Sequence, residues 1–242
     1  MPLYQDEGVV LRTVKLGEAD RIITLLTRDH GKVRAVAKGV RRTKSRFGGR
    51  LEPFMRVALL ISEGRSLDVI SQAESISAYA GPICADFNAY TAANIICETA
   101  DKLVSAEHER ASTQYRLVLG ALNALAKHAH DPAAISDSYV MRALAIAGWT
   151  PRLRACVVCG EPIRESLSWF FSISSGGLMC QTDHIRESTE ISWNSICQLQ
   201  ALVDGDWREL DGVPLTLETR QLVGKWGEYY LERPIRSMRL LD

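Results

Sequence analysis

At 242 residues, with 46% hydrophobic and 24% charged side chains, the chain has the composition of a globular protein with one large domain or two to three small ones. No apolar run approaches the roughly 18 residues of a membrane-spanning helix, so a membrane protein is excluded and we expect a cytoplasmic location. The net charge is zero, but residues 1–80 hold 14 Lys and Arg against 9 Asp and Glu, and the remaining residues hold 15 against 20, which predicts a polyanionic partner for the first part.

The first 80 residues predict five short β-strands. Their cores are apolar and β-branched or alternate with polar residues, at Gly8–Leu11, Arg21–Thr27, Lys32–Lys38, Met55–Ser62 and Leu67–Gln72. Turn-forming residues separate them at a spacing of about 8–12 residues. This pattern predicts a small closed barrel, and the OB-fold is the natural five-stranded candidate.

The third of these strands begins a basic segment that contains no acid. Cations alternate with small apolar residues from Lys32 to Lys38, which places several cations on one face of the strand. Such cations suit a phosphate backbone and predict binding to nucleic acid with little sequence preference. The candidate nucleic-acid-binding residues are Lys32, Arg34, Lys38, Arg41, Arg42, Lys44, Arg46 and Arg50. The alternative interpretation of this segment is a solvated, disordered loop. Phe47 within it is either a base-stacking residue or a core anchor.

After residue 80 the sequence becomes helical. Helices are predicted near residues 83–106, 112–128, 132–147, 193–204 and 217–231, and in the third of these Asp131 is placed to cap and Pro132 to open the first turn. The sequence therefore predicts an α+β, multi-domain protein. Its N-terminal five-stranded OB-fold barrel covers residues 1–80, and an α-helical domain with a zinc-ribbon-like insertion at about 154–186 covers residues 81–242.

The insertion carries a cysteine motif typical of zinc sites. Cys156 and Cys159 form a C-x2-C knuckle, and a predicted hairpin brings Cys180 back to them after twenty intervening residues. For the fourth ligand of one structural zinc ion we favour His184 over Asp183, because imidazole is the commoner and softer zinc ligand. Three reduced cysteines without metal are the alternative.

No catalytic motif accompanies these features. The sequence contains no complete zinc-deaminase signature, no Walker-type phosphate loop, no G-x-S-x-G and no H-E-x-x-H. We therefore expect a binding protein and not an enzyme.

Several motifs resemble the RecO recombination-mediator family of bacteria, in an actinobacterial form. The similarity extends over the whole chain and is most specific in the first 55 residues. It is carried by Gly8-Val9-Val10-Leu11-Arg12, Gly17-Glu18-Ala19-Asp20-Arg21, Ala37-Lys38-Gly39-Val40-Arg41-Arg42, Ser45-Arg46-Phe47 and Leu51-Glu52-Pro53-Phe54, together with the cysteine knuckle.

The resemblance implies an N-terminal OB-fold, a helical C-terminal domain with a zinc motif, and a nucleoid-associated role in DNA repair and recombination. It also implies binding of single- and double-stranded DNA, annealing of complementary strands, and action with RecR in loading RecA onto DNA coated by single-strand-binding protein, whose acidic tail is contacted. Family members often have a fourth cysteine at the metal site, where this sequence has Asp183 or His184. The alternatives are an RNA-binding or transcription-associated OB/zinc-ribbon protein and a metal-dependent nucleic-acid enzyme.

Overall fold

The computed structural model describes residues 2–240 and divides into two compact units, the first ending at Ala129 and the second beginning at His130. The helices that follow the barrel are thus shared between the units. The division into a DNA-binding domain of residues 1–80 and a helical domain of residues 81–242 stays a prediction. Within the described part of the chain, no helix combines the length and apolarity needed to cross a membrane.

The first unit begins with a closed five-stranded barrel, as the sequence predicted. Its strands follow one another around the barrel in the order β1-β2-β3-β5-β4. All neighbours are antiparallel except β3 and β5, which pair in parallel over two residues. The strands are β1 (Leu3–Leu16), β2 (Asp20–Thr27), β3 (Gly31–Ala37), β4 (Met55–Ser62) and β5 (Asp68–Ala78).

The barrel closes because alternate residues of its strands are apolar. In β3 and β4 every second side chain is buried, which is the two-residue period of a strand with one face in the core. Val33 and Ala35 of β3 point inward, and Lys32 and Arg34 therefore point outward. The barrel interior is completed by Phe47 from the long connection between β3 and β4.

Three helices complete the first unit: α1 (Ala80–Ala85), α2 (Phe87–Leu103) and α3 (Ser112–Ala126). The single helix predicted near residues 83–106 is therefore two helices, because Asp86 has an extended backbone and its carboxylate caps α2 by accepting from the Ala89 amide. The segment after α2 lies along the open edge of β3, where Lys32 and Glu107 form a parallel bridge. Gly31 permits this approach, since a Cβ there would lie 1.7 Å from the Glu109 carbonyl oxygen.

The second unit is helical with a small three-stranded sheet of order β7-β6-β8. Asp131 caps α4 with Pro in its first turn, as predicted, and the two later helices have the predicted bounds. The strand β8 and the short helix α6 were not predicted. The elements are α4 (Pro132–Ile146), β6 (Trp169–Ser172), β7 (Gly177–Cys180), β8 (Thr189–Ile191), α5 (Trp193–Asp204), α6 (Trp207–Leu210), α7 (Leu217–Leu231) and a 3-10 helix (Arg236–Leu240).

Candidate nucleic-acid interface and metal centre

The two cations on the outer face of β3 are compensated by acids of the same unit. The Nζ atom of Lys32 lies 2.6 Å from Oδ1 of Asp101, and its side chain is only 12% exposed. Asp101 also receives a hydrogen bond of 2.6 Å from Arg12. Burial alone would raise the pKa of Asp101, but Lys32 and Arg12 outweigh it and hold that pKa below its usual value. Lys32 therefore has a structural role in this arrangement.

Arg34 has the same kind of partner at a greater distance. Its Nη1 atom lies 3.4 Å from a carboxylate oxygen of Glu107, and about two fifths of its side chain is exposed. Both acids lie far along the chain from β3, and no local sequence pattern points to them. Lys32 and Arg34 are therefore weaker candidates for DNA contacts than the sequence suggested.

The other six predicted cations lie in the connection between β3 and β4, which we call the basic loop (residues 38–54). All six are exposed, and none forms an ion pair with an acid among residues 2–240. Together they contribute a formal charge of +6 between residues 38 and 51, where there is no acid. They are Lys38, Arg41, Arg42, Lys44, Arg46 and Arg50.

Backbone contacts hold the basic loop in place without neutralising it. The Arg41 guanidinium donates to the carbonyl oxygens of Gly17 and Glu18 at 3.2 and 2.8 Å, which fastens the loop to the turn between β1 and β2. Arg50 donates to the Arg46 carbonyl at 3.0 Å. Because carbonyl groups carry no net charge, the positive charge of both guanidinium groups remains available to an anion.

Phe47 is the anchor of the basic loop. Its side chain is 1% exposed and belongs to the barrel core. The guanidinium of Arg46 lies 4.9 Å from the centre of its ring. Of the two roles that the sequence allowed, the structure selects the core anchor, because a buried ring has no face for a base.

A second constellation lies in the small sheet of the second unit. The pairing of β6 with β7 sets Cys180 opposite Trp169, and the Val157 amide donates to the Leu178 carbonyl at 2.8 Å. These bonds bring the knuckle and the hairpin together. One ligand atom from each of four side chains lies within 4.8 Å of all the others, and the group could hold a metal ion. The four residues are Cys156, Cys159, Cys180 and Asp183.

The distances within this group are short enough for all four side chains to bind one ion. The sulfurs of Cys159 and Cys180 are 3.8 Å apart, and Oδ2 of Asp183 lies 3.2 Å from the Cys180 sulfur and 3.5 Å from the Cys156 sulfur. Burial opposes ionisation of Cys156, but nearby backbone amides, that of Cys180 first, outweigh it and lower the pKa of this thiol. Amides directed at the Cys156 sulfur in this way favour its thiolate. The hydrogen bond to the Asp183 carboxylate has the opposite effect on Cys159 and raises the pKa of that thiol to about 12.

The structure groups Asp183, and not His184, with the three cysteines. The ring of His184 stacks on Phe170 with centroids 4.0 Å apart, and its Nδ1 atom lies 2.9 Å from the Gln181 carbonyl oxygen. Asp183 follows Cys180 with the same two-residue gap that separates Cys156 from Cys159, so the turn directs its carboxylate to the cysteines. The spacing in the sequence carries this signal, whereas the preference of zinc for imidazole favoured His184.

Comparisons with known proteins agree on one family. Two family models match the chain, Recombination protein O N terminal over residues 1–79 and Recombination protein O C terminal over residues 84–239. The DNA repair protein RecO of Bifidobacterium adolescentis is 80% identical over 246 residues, covering 100% of both chains. That of Bifidobacterium longum is 65% identical over 244 residues, also covering 100% of both. The protein of the same description from Thermobifida fusca is 44% identical over 246 residues, covering 100% of this chain and 99% of its own length.

Proposed function

This chain belongs to the bacterial recombination protein O family, and we propose that it is a DNA repair protein that binds single- and double-stranded DNA and anneals complementary strands. The observation that carries the proposal is the basic loop, with six exposed cations and no acidic partner for any of them within residues 2–240. Unpaired cations on an ordered surface are the electrostatic footprint of a protein that contacts phosphates.

Annealing requires no catalytic side chain. Two complementary strands repel each other through their phosphates, and a cationic surface lowers this repulsion when it binds either strand. Phosphate contacts carry no sequence information, so the loop serves strands of any sequence. We therefore propose a binding protein that acts at the nucleoid and catalyses no covalent reaction. In this proposal, residues 1–80 form the domain that contacts DNA, and residues 81–242 form the helical domain.

The partners are proposed from membership of the family alone. In this proposal the protein acts with RecR and contacts the acidic tail of single-strand-binding protein, and it thereby assists RecA in loading onto coated DNA. No residue is assigned to these protein contacts, because no motif of the sequence marks them.

The four-residue metal group is proposed to hold one structural zinc ion. With Zn–S bonds of about 2.3 Å and a Zn–O bond of about 2.0–2.2 Å, tetrahedral geometry sets two sulfurs about 3.8 Å apart and a sulfur and an oxygen about 3.5 Å apart. The distances of 3.8, 3.5 and 3.2 Å within the group fit this geometry. Cys156, Cys159, Cys180 and Asp183 would fill all four positions, so the ion would hold the knuckle against the hairpin and bind no substrate.

A strand-annealing assay tests the DNA function. Two complementary oligonucleotides, one with a fluorophore and one with a quencher, are mixed with the purified protein, with and without single-strand-binding protein. We expect faster annealing in both conditions and a loss of this effect at high salt, because the contacts are ionic. Annealing at the uncatalysed rate in every condition would contradict the proposal. Elemental analysis of the same protein should give one zinc per chain.

A further inference from the structure

The basic loop lacks a feature that distinguishes single from double strands. Proteins that bind unpaired nucleic acid combine cations for the backbone with aromatic faces on which bases stack. The only aromatic residues of the loop are Phe47 and Phe54, which are 1% and 2% exposed. The exposed residues of the loop can therefore contact phosphates but offer no ring to a base.

Two exposed aromatic side chains lie elsewhere in the same unit, and we call them the aromatic corner (Phe87 and Tyr90). Phe87 is 71% exposed and Tyr90 is 42% exposed. Among the described residues of the first unit, no other Phe, Tyr or Trp side chain is exposed. They are three residues apart in α2, so both project from one side of the helix, while Ala89 and Ala93 are buried on the other.

The aromatic corner adjoins the basic loop. The ring of Tyr90 meets the ring of Phe54 edge to face, with centroids 5.9 Å apart. Phe54 is the last residue of the loop, and its amide donates to the Val10 carbonyl at 2.9 Å. Val40 near the start of the loop and Ala80 at the start of α1 pack against one and the same core cluster. The C-terminal end of the loop thus contacts α2 through Phe54 and Tyr90, while its N-terminal end packs on the barrel core through Val40.

The aromatic corner and the basic loop differ in charge in the same way as the two sides of an unpaired strand, which are neutral bases and anionic phosphates. Residues 79–97 contain one acid, Asp86, and no Lys or Arg. The Asp86 carboxylate is occupied as the cap of α2, at 2.8 Å from the Ala89 amide. A nearly neutral aromatic surface therefore adjoins a loop whose six cations and one acid, Glu52, give it a net charge of +5. A single strand presents bases on one side and phosphates on the other, whereas a duplex keeps its bases stacked inside.

We propose that Phe87 and Tyr90 form a stacking site for the unpaired bases of a single strand whose phosphates lie on the basic loop. This rests on the proposed DNA binding and extends it to the preference between strands. Any base has a ring face, so the site tolerates every sequence. Phe87 contributes most, since Tyr90 is partly engaged by Phe54.

The test compares Phe87→Ala, Phe87→Leu and Phe87→Trp with the wild-type protein. Fluorescence anisotropy at one salt concentration measures Kd for a labelled single strand, a duplex of the same sequence and a single strand with abasic sites. Phe87→Ala should weaken single-strand binding by at least about fivefold, the lower end of the loss for one stacked base. Duplex binding should not change. Because Phe87 is largely exposed, its replacement should preserve the fold, and circular dichroism checks this.

The other variants separate stacking from simple burial of apolar surface. Leu is apolar without a ring face, so Phe87→Leu should lose as much affinity as Phe87→Ala, and Phe87→Trp should retain it. On the abasic strand the wild-type protein and Phe87→Ala should bind equally. Tyr229→Ala is the matched control, since Tyr229 is 52% exposed but lies in the second unit.

The possible failures are distinguishable. Equal single-strand binding by the wild-type protein and Phe87→Ala overturns the stacking site but leaves the proposed function intact. Equal losses on all three nucleic acids also overturn it, because a stacked base cannot explain weaker duplex or abasic binding. Normal DNA binding with weaker binding of purified RecR would make the corner a protein-docking surface instead. A wild-type protein that binds none of the three overturns the proposed function as well.

Discussion

Neutralising the basic loop should change how DNA binding depends on salt, and this separates its cations from those of β3. The perturbation is the triple variant Arg42→Gln, Lys44→Gln, Arg46→Gln. It leaves the guanidinium groups of Arg41 and Arg50 in place, because these hold the loop through backbone carbonyls. The three replaced side chains are exposed, and Gln at position 46 retains an aliphatic stem next to the Phe47 ring on which the Arg46 guanidinium lies.

The size of the effect follows from counterion release. Each phosphate contact to a single strand contributes about 0.7 to the slope of log K against log salt. Six loop cations therefore predict a slope near −4, and the triple variant a slope near −2. Between about 50 and 200 mM salt, the wild-type protein should lose roughly 300-fold in affinity and the variant roughly 20-fold.

The double variant Lys32→Gln, Arg34→Gln should retain nearly the full slope. Lys32 faces Asp101 and Arg34 faces Glu107, so neither cation releases many counterions when DNA binds. Its expected defect is a lower free energy of unfolding, because the mostly buried Asp101 carboxylate loses a partner. Urea denaturation measures that loss.

The assay is fluorescence anisotropy of a labelled single strand across a salt series. The charge-matched control is Arg186→Gln, Arg208→Gln, Lys225→Gln, three exposed cations of the second unit, which should keep the wild-type slope. A β3 variant that flattens the slope as much as the loop variant would contradict the assignment of the DNA contacts to the loop. A loop variant that keeps a slope near −4 would contradict it equally.

Three further predictions concern the metal group and the stability of each unit. Asp183→Cys should preserve one zinc per chain and slow its removal by a chelator, whereas Asp183→Ala should lower the zinc content. His184→Ala should leave the zinc content unchanged. Loss of zinc from His184→Ala alone would contradict the ligand set that includes Asp183. Gly31→Ala should destabilise the first unit by about 1–3 kcal/mol, because the new Cβ would lie 1.7 Å from the Glu109 carbonyl oxygen. Gly49→Ala should cost much less, because a Cβ there has nothing within 4 Å. Equal melting temperatures of the two variants would contradict this. Burial raises the pKa of Asp137 to about 7, although the charge of Arg220 opposes this shift. The folded state therefore keeps a proton that the unfolded state releases near pH 4. As a result, stability is lost as the pH rises from about 4 to 7. Asp137→Asn should therefore gain stability relative to the wild-type protein across that range, on the order of a few kcal/mol at pH 8, while the exposed Asp211→Asn should not. Tryptophan fluorescence follows this unfolding, because all five tryptophans lie in the second unit, and a pH-independent difference would refute the shift.

Local patterns determined most of the architecture. The two-residue alternation of β3 and β4 fixed which side chains enter the barrel, because a strand has only two faces. Asp131 and Pro132 located the start of α4, since capping groups act within one turn of the helix they begin. The motifs of the first 55 residues also identified the family, which the family models and the full-length relatives confirm.

The sequence was less informative where the outcome depended on residues far apart in the chain. Nothing near Lys32 indicates that Asp101 neutralises it, because the two are 69 residues apart and meet only when α2 packs on the barrel. The division of the first predicted helix was missed for a local reason, since the extended backbone of Asp86 interrupts the helix and its carboxylate caps α2. Which residue joins the three cysteines depended on the direction of a turn, and that turn presents Asp183 and leaves His184 on Phe170.

The sequence by itself therefore determined most of the elements, the inward and outward faces of the strands, the cysteine motif and the family, because each is encoded within a few residues or in the motifs themselves. Only the tertiary structure decided which cations remain unpaired, that Phe47 fills the core, and that Tyr90 of α2 contacts Phe54 at the end of the basic loop. Those features depend on the packing of distant segments. The free energy of that packing comes from contacts between residues far apart in the chain, which no short stretch of sequence reveals.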